Sequence, residues 1–171
     1  MTLEDRDDGP GAQVFRAAPR MFILVGVPAA LGCSLGIAVG GKSGDWCVLG
    51  GFAALSFILF GLVILLKLEL AAAGFRYRAL IGSRKVAYPD VAAAFIHAVH
   101  VAGNPREFAK FAVETREGRL IRPALRAFPI EAAAALFAAL EAHGIGIDVA
   151  DSPGPRRMND EIRAVQARLR T

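Results

Sequence analysis

Residues 21–66, MFILVGVPAALGCSLGIAVGGKSGDWCVLGGFAALSFILFGLVILL, form the stretch that decides the predicted fold. Two long apolar runs, 21–39 and 46–66, are separated by a short polar bend, and neither contains a charged residue. Nineteen helical residues reach roughly 28 Å, close to the thickness of a bilayer's hydrocarbon core. The pattern therefore predicts a hairpin of two transmembrane helices. A helix pair buried in a soluble protein is the alternative, but such helices seldom run this long without a charge.

Basic residues near the ends of the predicted spans indicate their orientation. Arg16 and Arg20 precede the first span, and Lys67, Arg76 and Arg78 follow the second. The bend between the spans carries only one basic residue, beside an acidic one. We therefore expect both termini to lie on the cytoplasmic side of the membrane.

Small residues recur along the first predicted span. Gly32, Gly36 and Gly40 follow at four-residue spacing, which places them on one helix face where another backbone can approach closely. This face serves either packing within the hairpin or dimerisation. Cys33 and Cys47 also lie in the spans and are interpreted as small packing residues.

The periodicity changes after residue 66, where apolar and charged residues begin to alternate as they do in strands. Gly82-Ser83 has the composition of a tight hairpin turn. About six strands are predicted, and one helix follows them, with Gly144 as its stop signal. The predicted strands lie near 66–70, 75–81, 84–88, 91–101, 108–115 and 119–122, and the helix spans 130–143.

These patterns divide the chain into five parts. The expected parts are a cytoplasmic tail (1–20), the membrane hairpin (21–66), a strand-rich domain (67–144), a linker (145–157) and a basic amphipathic helix (158–171). The last helix places four apolar residues on one face: Met158, Ile162, Val165 and Leu169. Three placements are expected for this helix: on an anionic membrane surface, against a partner, or folded back on the domain.

This order of elements resembles the bacterial membrane proteins with a pleckstrin-homology-like (PH-like) domain. Three stretches carry the resemblance: Leu68-Glu69-Leu70 followed by Gly74-Phe75-Arg76-Tyr77-Arg78, then Val86-Ala87-Tyr88-Pro89-Asp90-Val91, and finally residues 108–121 with the helix 130–143. The resemblance implies an α+β domain of antiparallel strands with one capping helix, held at the bacterial inner membrane. A complete PH barrel has seven strands, so about six imply a partial barrel that is either open or completed by another chain.

No catalytic, metal-binding or cofactor-binding constellation stands out. His97 and His100 fall on opposite faces of one predicted strand, so they cannot easily share a metal. No zinc-ligand spacing and no phosphate-binding glycine motif occurs. The basic residues lack the aromatic stacking platform of nucleic-acid binders. We therefore expect no enzyme activity, no cofactor and no nucleic-acid partner.

The functional signal in the sequence is electrostatic. From Lys67 to the end there are 16 basic and 11 acidic residues. Arg76, Arg78, Arg84 and Lys85 fall on one hairpin, either as topology markers or as a docking surface for lipid headgroups or an acidic partner. The favoured hypothesis is a non-enzymatic membrane-anchored protein that associates with proteins or lipids, and it also allows homo-oligomers. The alternative is an accessory subunit of a membrane enzyme or transporter that acts through its spans.

Overall fold

Within the described residues, the fold comprises two four-stranded sheets and two helices whose full bounds are defined. The computed structural model of the protein describes residues 12–23, 26–27, 30–31, 34, 51, 54, 58, 61, 63–78, 82–100 and 107–170. Short 3-10 turns at Tyr88–Asp90 and Leu125–Ala127 join the longer elements.

The first sheet is antiparallel, with its strands in the order β1-β2-β3-β4. Its strands are β1 (Gln13–Arg16), β2 (Lys67–Ala71), β3 (Gly74–Arg78) and β4 (Ser83–Ala87). Alternation decides which face is buried: Leu68, Phe75 and Val86 point into the core, while the charged residues between them do not.

The second sheet has the order β7-β6-β5-β8. Its strands are β5 (Val91–His100), β6 (Glu107–Thr115), β7 (Leu120–Ile121) and β8 (Ile147–Val149). β8 runs parallel to β5, and the other pairs are antiparallel. Ile96 and Phe111 face each other across β5 and β6, and both are almost completely buried.

Two helices complete the core. Helix α1 (Ile130–Ala142) follows Pro129 and buries its apolar face, where Phe137 packs 5.2 Å from the Phe111 ring between centroids. Helix α2 (Pro153–Leu169) packs against α1 and against β5 and β6. The Gln166 side chain donates a buried hydrogen bond of 3.2 Å to the Ala134 carbonyl. Of its three predicted placements, α2 therefore adopts the one folded back on the domain.

Two segments expected to lack regular structure contain strands. Residues 13–16, placed by the sequence in the tail, form β1 and pair with β2. Residues 147–149 and the start of α2 lie in the segment interpreted as a linker. Such short strands have too few residues to show a periodicity of their own. Their position is determined by the neighbouring strand with which they pair.

The prediction of a transmembrane hairpin over 21–66 is wrong. Among the described residues, none of the helices combines the length and the apolarity that crossing a membrane requires. This finding also overturns the predicted multi-pass location in the inner membrane. An apolar run shows only that its residues prefer to leave water. Val63 and Leu66 are buried in the domain core, whereas Ile23, Leu31 and Ile64 are exposed. Much of the stretch, including Gly32, Gly36, Gly40, Cys33 and Cys47, lies outside the described residues.

The predicted strands of the domain correspond to β2 to β7, with shifted ends. Arg78 pairs with Ser83 in the register, so Ser83 belongs to β4 and Gly82-Ser83 is not a two-residue turn. With β1 and β8 the described part of the chain has eight strands rather than six, in two sheets. The fold class that joins a membrane hairpin to a partial PH-like barrel is therefore corrected to two sheets with packed helices.

Candidate binding cleft beside β6

A cleft opens beside β6 because its partner strand β7 is only two residues long. Val113 pairs with Ile121, and the same register would place Pro123 opposite Phe111. The Thr115 amide donates to the Arg119 carbonyl. Every second residue of β6 counted from Thr115, including Phe111, therefore directs its backbone amide and carbonyl toward the β7 side. Proline has no amide hydrogen and cannot extend such a ladder. The chain therefore leaves β6 at this proline.

The departing segment, 122–128, is fixed to other parts of the molecule. The Ala124 amide donates to the Tyr77 hydroxyl at 3.3 Å, which ties the segment to the first sheet. The Ala18 amide donates to the Ala127 carbonyl at 2.7 Å. The Arg20 guanidinium donates to the carbonyls of Arg126 and Phe128 at 3.0 and 3.2 Å. These bonds keep the segment away from β6 and leave space between the two.

This space, called the cleft below, has a volume of about 450 Å³. Such a volume lies in the range typical of ligand sites in proteins. Its wall is mostly apolar, and Met158 of α2 closes one side. The lining residues are Phe108, Ala109, Lys110, Phe111, Arg122, Pro123, Ala124, Leu125, Arg126 and Met158.

Three exposed cations, Lys110, Arg122 and Arg126, line the cleft. None of them forms an ion pair with any residue in the described part of the chain. By contrast, the neighbouring Glu107 is engaged, since its carboxylate accepts a bond from the Gly154 amide at 3.2 Å and lies 3.5 Å from His100. An apolar wall with uncompensated positive charge favours an amphipathic anion.

His97 lies next to this charge. It pairs with Lys110 across β5 and β6, so the two side chains share one face of the sheet. Burial lowers the pKa of His97, and the charges of Arg122 and Lys110 lower it further. The Nδ1 atom of the ring is buried without a hydrogen-bond partner. The imidazole is therefore held neutral beside two cations.

The basic residues singled out from the sequence do not all share one surface. Arg76 pairs with Lys85, and Arg78 lies on the same face, whereas Arg84 stands opposite Tyr77 on the other face. Glu69 pairs with Arg76 and also forms an ion pair with Lys67, so acidic charge partly offsets this surface. The Arg76 guanidinium donates to the Ser83 hydroxyl at 2.8 Å.

The predicted separation of the two strand histidines agrees with the register. His97 shares a face with Lys110, and His100 faces Glu107 on the other side of the sheet. The described residues contain no group of three or more His, Cys, Asp or Glu positioned to hold a metal ion. The predicted packing face of Gly32, Gly36 and Gly40 lies outside the described residues.

The cleft was not predicted from the sequence. A signal for it exists in Arg122-Pro123, directly after the strand residues Leu120-Ile121. A proline after a strand ends its pairing, but only the register shows which residue of the partner strand loses its neighbour.

Comparisons with known proteins add no identity. No protein-family model matches the chain, and neither the curated proteins nor the solved structures gave a match. The resemblance to PH-like proteins therefore stays a prediction.

Proposed function

We propose that this protein is a non-enzymatic association module whose cleft binds an acidic segment of a partner protein. The observation that carries the proposal is the cleft's combination of an apolar wall with three unpaired cations, Lys110, Arg122 and Arg126. The partner segment presents one large apolar side chain to the cleft and carboxylates on either side of it. The proposal keeps protein association from the sequence hypothesis and moves it to a different surface.

The apolar side chain is the anchor of this interaction. Phe108 is half-buried, and Leu125 and Met158 supply further apolar surface around the cavity. Partner side chains that fill such pockets contribute much of the affinity at protein interfaces. The surrounding cations increase the association rate and the specificity of binding, because they attract an acidic chain and disfavour a basic one.

The proposed cleft differs from the two other modes of association considered from the sequence. Glu69 of β2 lies opposite Arg76 on the first sheet, so the positive charge of the basic β3–β4 residues is partly offset. The accessory-subunit alternative acts through two membrane spans and loses its basis with the corrected hairpin. The cleft offers charge and apolar shape together.

A synthetic peptide provides the test. Acetyl-Glu-Glu-Leu-Glu-Glu-amide is titrated into the full-length protein and followed by calorimetry. We expect saturable binding that weakens as salt rises, because screening reduces attraction between exposed charges. Lys110→Glu with Arg126→Glu should weaken binding by about tenfold or more, since both changes place like charge against the peptide.

The control is the double variant Arg84→Glu with Lys85→Glu, which makes the same change of charge on the first sheet. It should bind the peptide nearly as the wild type does. A peptide with glycine in place of leucine should bind weakly to every variant. The proposal fails if the wild type does not bind the peptide, or if the two double variants lose affinity equally.

A further inference from the structure

We propose that His97, Lys110 and Arg122 form a carboxylate-binding subsite at the rim of the cleft, where binding is coupled to uptake of a proton by His97. The inference rests on the proposed function, because it identifies where one carboxylate of the acidic segment lies. It also adds a property that charge alone does not give, namely an affinity that rises as the pH falls.

Strand register brings the three groups together. His97 and Lys110 are directly opposite on β5 and β6. Ile121 of β7 pairs with Val113 of β6. Arg122 is the next residue along the chain, so it also lies beside β6. Both cations are close enough to His97 for their charges to lower its pKa. Opposite residues on one sheet face have Cβ atoms about 5 Å apart, which allows two side chains to hold one carboxylate.

The subsite lacks a counter-ion of its own. Two acidic residues belong to the same sheet face: Glu114, four residues along β6 from Lys110, and Asp148 of β8, which pairs with Phe95. Neither forms an ion pair with Lys110 or Arg122 within the described residues. Glu107 faces the other side of the sheet with His100. An incoming carboxylate would therefore find two cations free to bind it.

His97 explains the coupling to protons. Its ring lies 5.7 Å from the Phe95 ring between centroids, and its Nδ1 is buried and unpartnered. In the free protein burial and two neighbouring positive charges oppose protonation of the ring. A bound carboxylate offsets those charges, so it favours the imidazolium form. Binding therefore raises the pKa of His97 and consumes protons near neutral pH.

The ligand chemistry follows from the donors. Arg122 has a planar fork that matches the two oxygens of a carboxylate, and Lys110 is a compact charge beside it. The protonated imidazole adds a third positive charge. The peptide carries carboxylates on both sides of the leucine anchor. One carboxylate can therefore occupy this subsite while another contacts Arg126. A neutral amide at the same position would lose both the charge and the coupling.

The experiment measures proton uptake when the peptide acetyl-Glu-Glu-Leu-Glu-Glu-amide binds the full-length protein. Calorimetry near pH 7 in buffers of different ionisation enthalpy reports the number of protons consumed. We expect net uptake by the wild type and affinity that rises several-fold between about pH 7.5 and 6. His97→Gln should abolish the uptake and flatten the pH profile, and Arg122→Gln should weaken binding.

His100→Gln is the matched control, because His100 lies on the same strand with its side chain 76% exposed on the opposite face. It should retain the uptake. If the peptide binds through Lys110 and Arg126 but His97→Gln leaves proton uptake unchanged, the subsite is overturned while the proposed function stands.

A second measurement separates the two proposals when no peptide binds. The pKa of His97 is followed by NMR during titration with sodium acetate, with sodium chloride at equal ionic strength as reference. A rise in the pKa of His97 in acetate that is absent in Arg122→Gln supports the subsite without the peptide. Equal titration in acetate and chloride overturns it.

Discussion

Gly74 is the residue where the first sheet leaves least room. It lies opposite Ala87 in the pairing of β3 with β4, directly after the turn that begins β3. A methyl group there would overlap the carbonyl oxygen of Val86 and lie 2.8 Å from the Ala87 Cα. Both atoms belong to the backbone of a paired strand, so neither can move without disturbing the sheet. The glycine is required for close approach of the two strands.

Gly74→Ala should therefore lower the free energy of unfolding by about 1–3 kcal/mol, the usual cost of forcing extra volume into a packed region. Chemical denaturation monitored by circular dichroism measures the change. Gly146→Ala is the control, because a methyl group at that position meets no atom within 4 Å. An unchanged midpoint for Gly74→Ala would mean that β4 can shift away from β3.

Helix α2 is the element whose placement depends most on a few buried side chains. Ile162 is 2% exposed and Met158 is 8% exposed, whereas Leu169 at the end of the same helix is 62% exposed. Arg163 forms an ion pair with Glu141 of α1, close to the buried bond from Gln166. The helix therefore belongs to the core along its inner face, and it supplies one wall of the cleft.

Ile162→Ala should lower the free energy of unfolding by about 2–5 kcal/mol, because it removes buried methyl groups and leaves a cavity. Leu169→Ala should change it by no more than about 0.5 kcal/mol, as exposed substitutions do. Urea denaturation of both variants provides the comparison. Similar midpoints for the two would show that α2 contributes little to the fold.

Sequence patterns predicted the elements with strong periodicity and missed those defined by their neighbours. The alternation around Leu68 and Phe111 gave the strands of both sheets, and the apolar stripe after Pro129 gave α1. β1 and β8 are too short for such a pattern. The transmembrane prediction for 21–66 was wrong because the length of an apolar run and its lack of charge do not show whether lipid or protein surrounds it. The cleft depends on Pro123 facing Phe111, which only the register reveals.

The stability of the whole molecule should depend on pH at both ends of the scale. Burial and two neighbouring cations lower the pKa of His97, so the unfolded chain takes up a proton first as the pH falls below about 6.5. Burial raises the pKa of the Tyr88 phenol, so the unfolded chain loses its proton first above about pH 10. Each difference favours the unfolded state at its own extreme.

Thermal unfolding across this range tests both groups. The wild-type melting temperature should fall as the pH drops from about 7 toward 5 and again as it rises above about 10. His97→Gln should reduce the acid slope, and Tyr88→Phe should reduce the alkaline slope. Tyr88→Phe should not destabilise the protein at neutral pH, because the buried hydroxyl has no hydrogen-bond partner. If neither variant changes the slope of melting temperature against pH, other titratable groups cause the pH dependence.

The pairing of β1 with β2 also has a consequence for synthesis on the ribosome. Gln13–Arg16 must wait for Lys67–Ala71, so residues 17–66 are translated before the first strand can find its partner. At elongation rates of about 5–20 residues per second this interval lasts roughly 3–10 seconds. Throughout it, the nascent chain carries an unpaired strand followed by a long apolar segment, and unpaired strands are templates for aggregation. Translational pausing within this interval should therefore reduce the yield of folded protein.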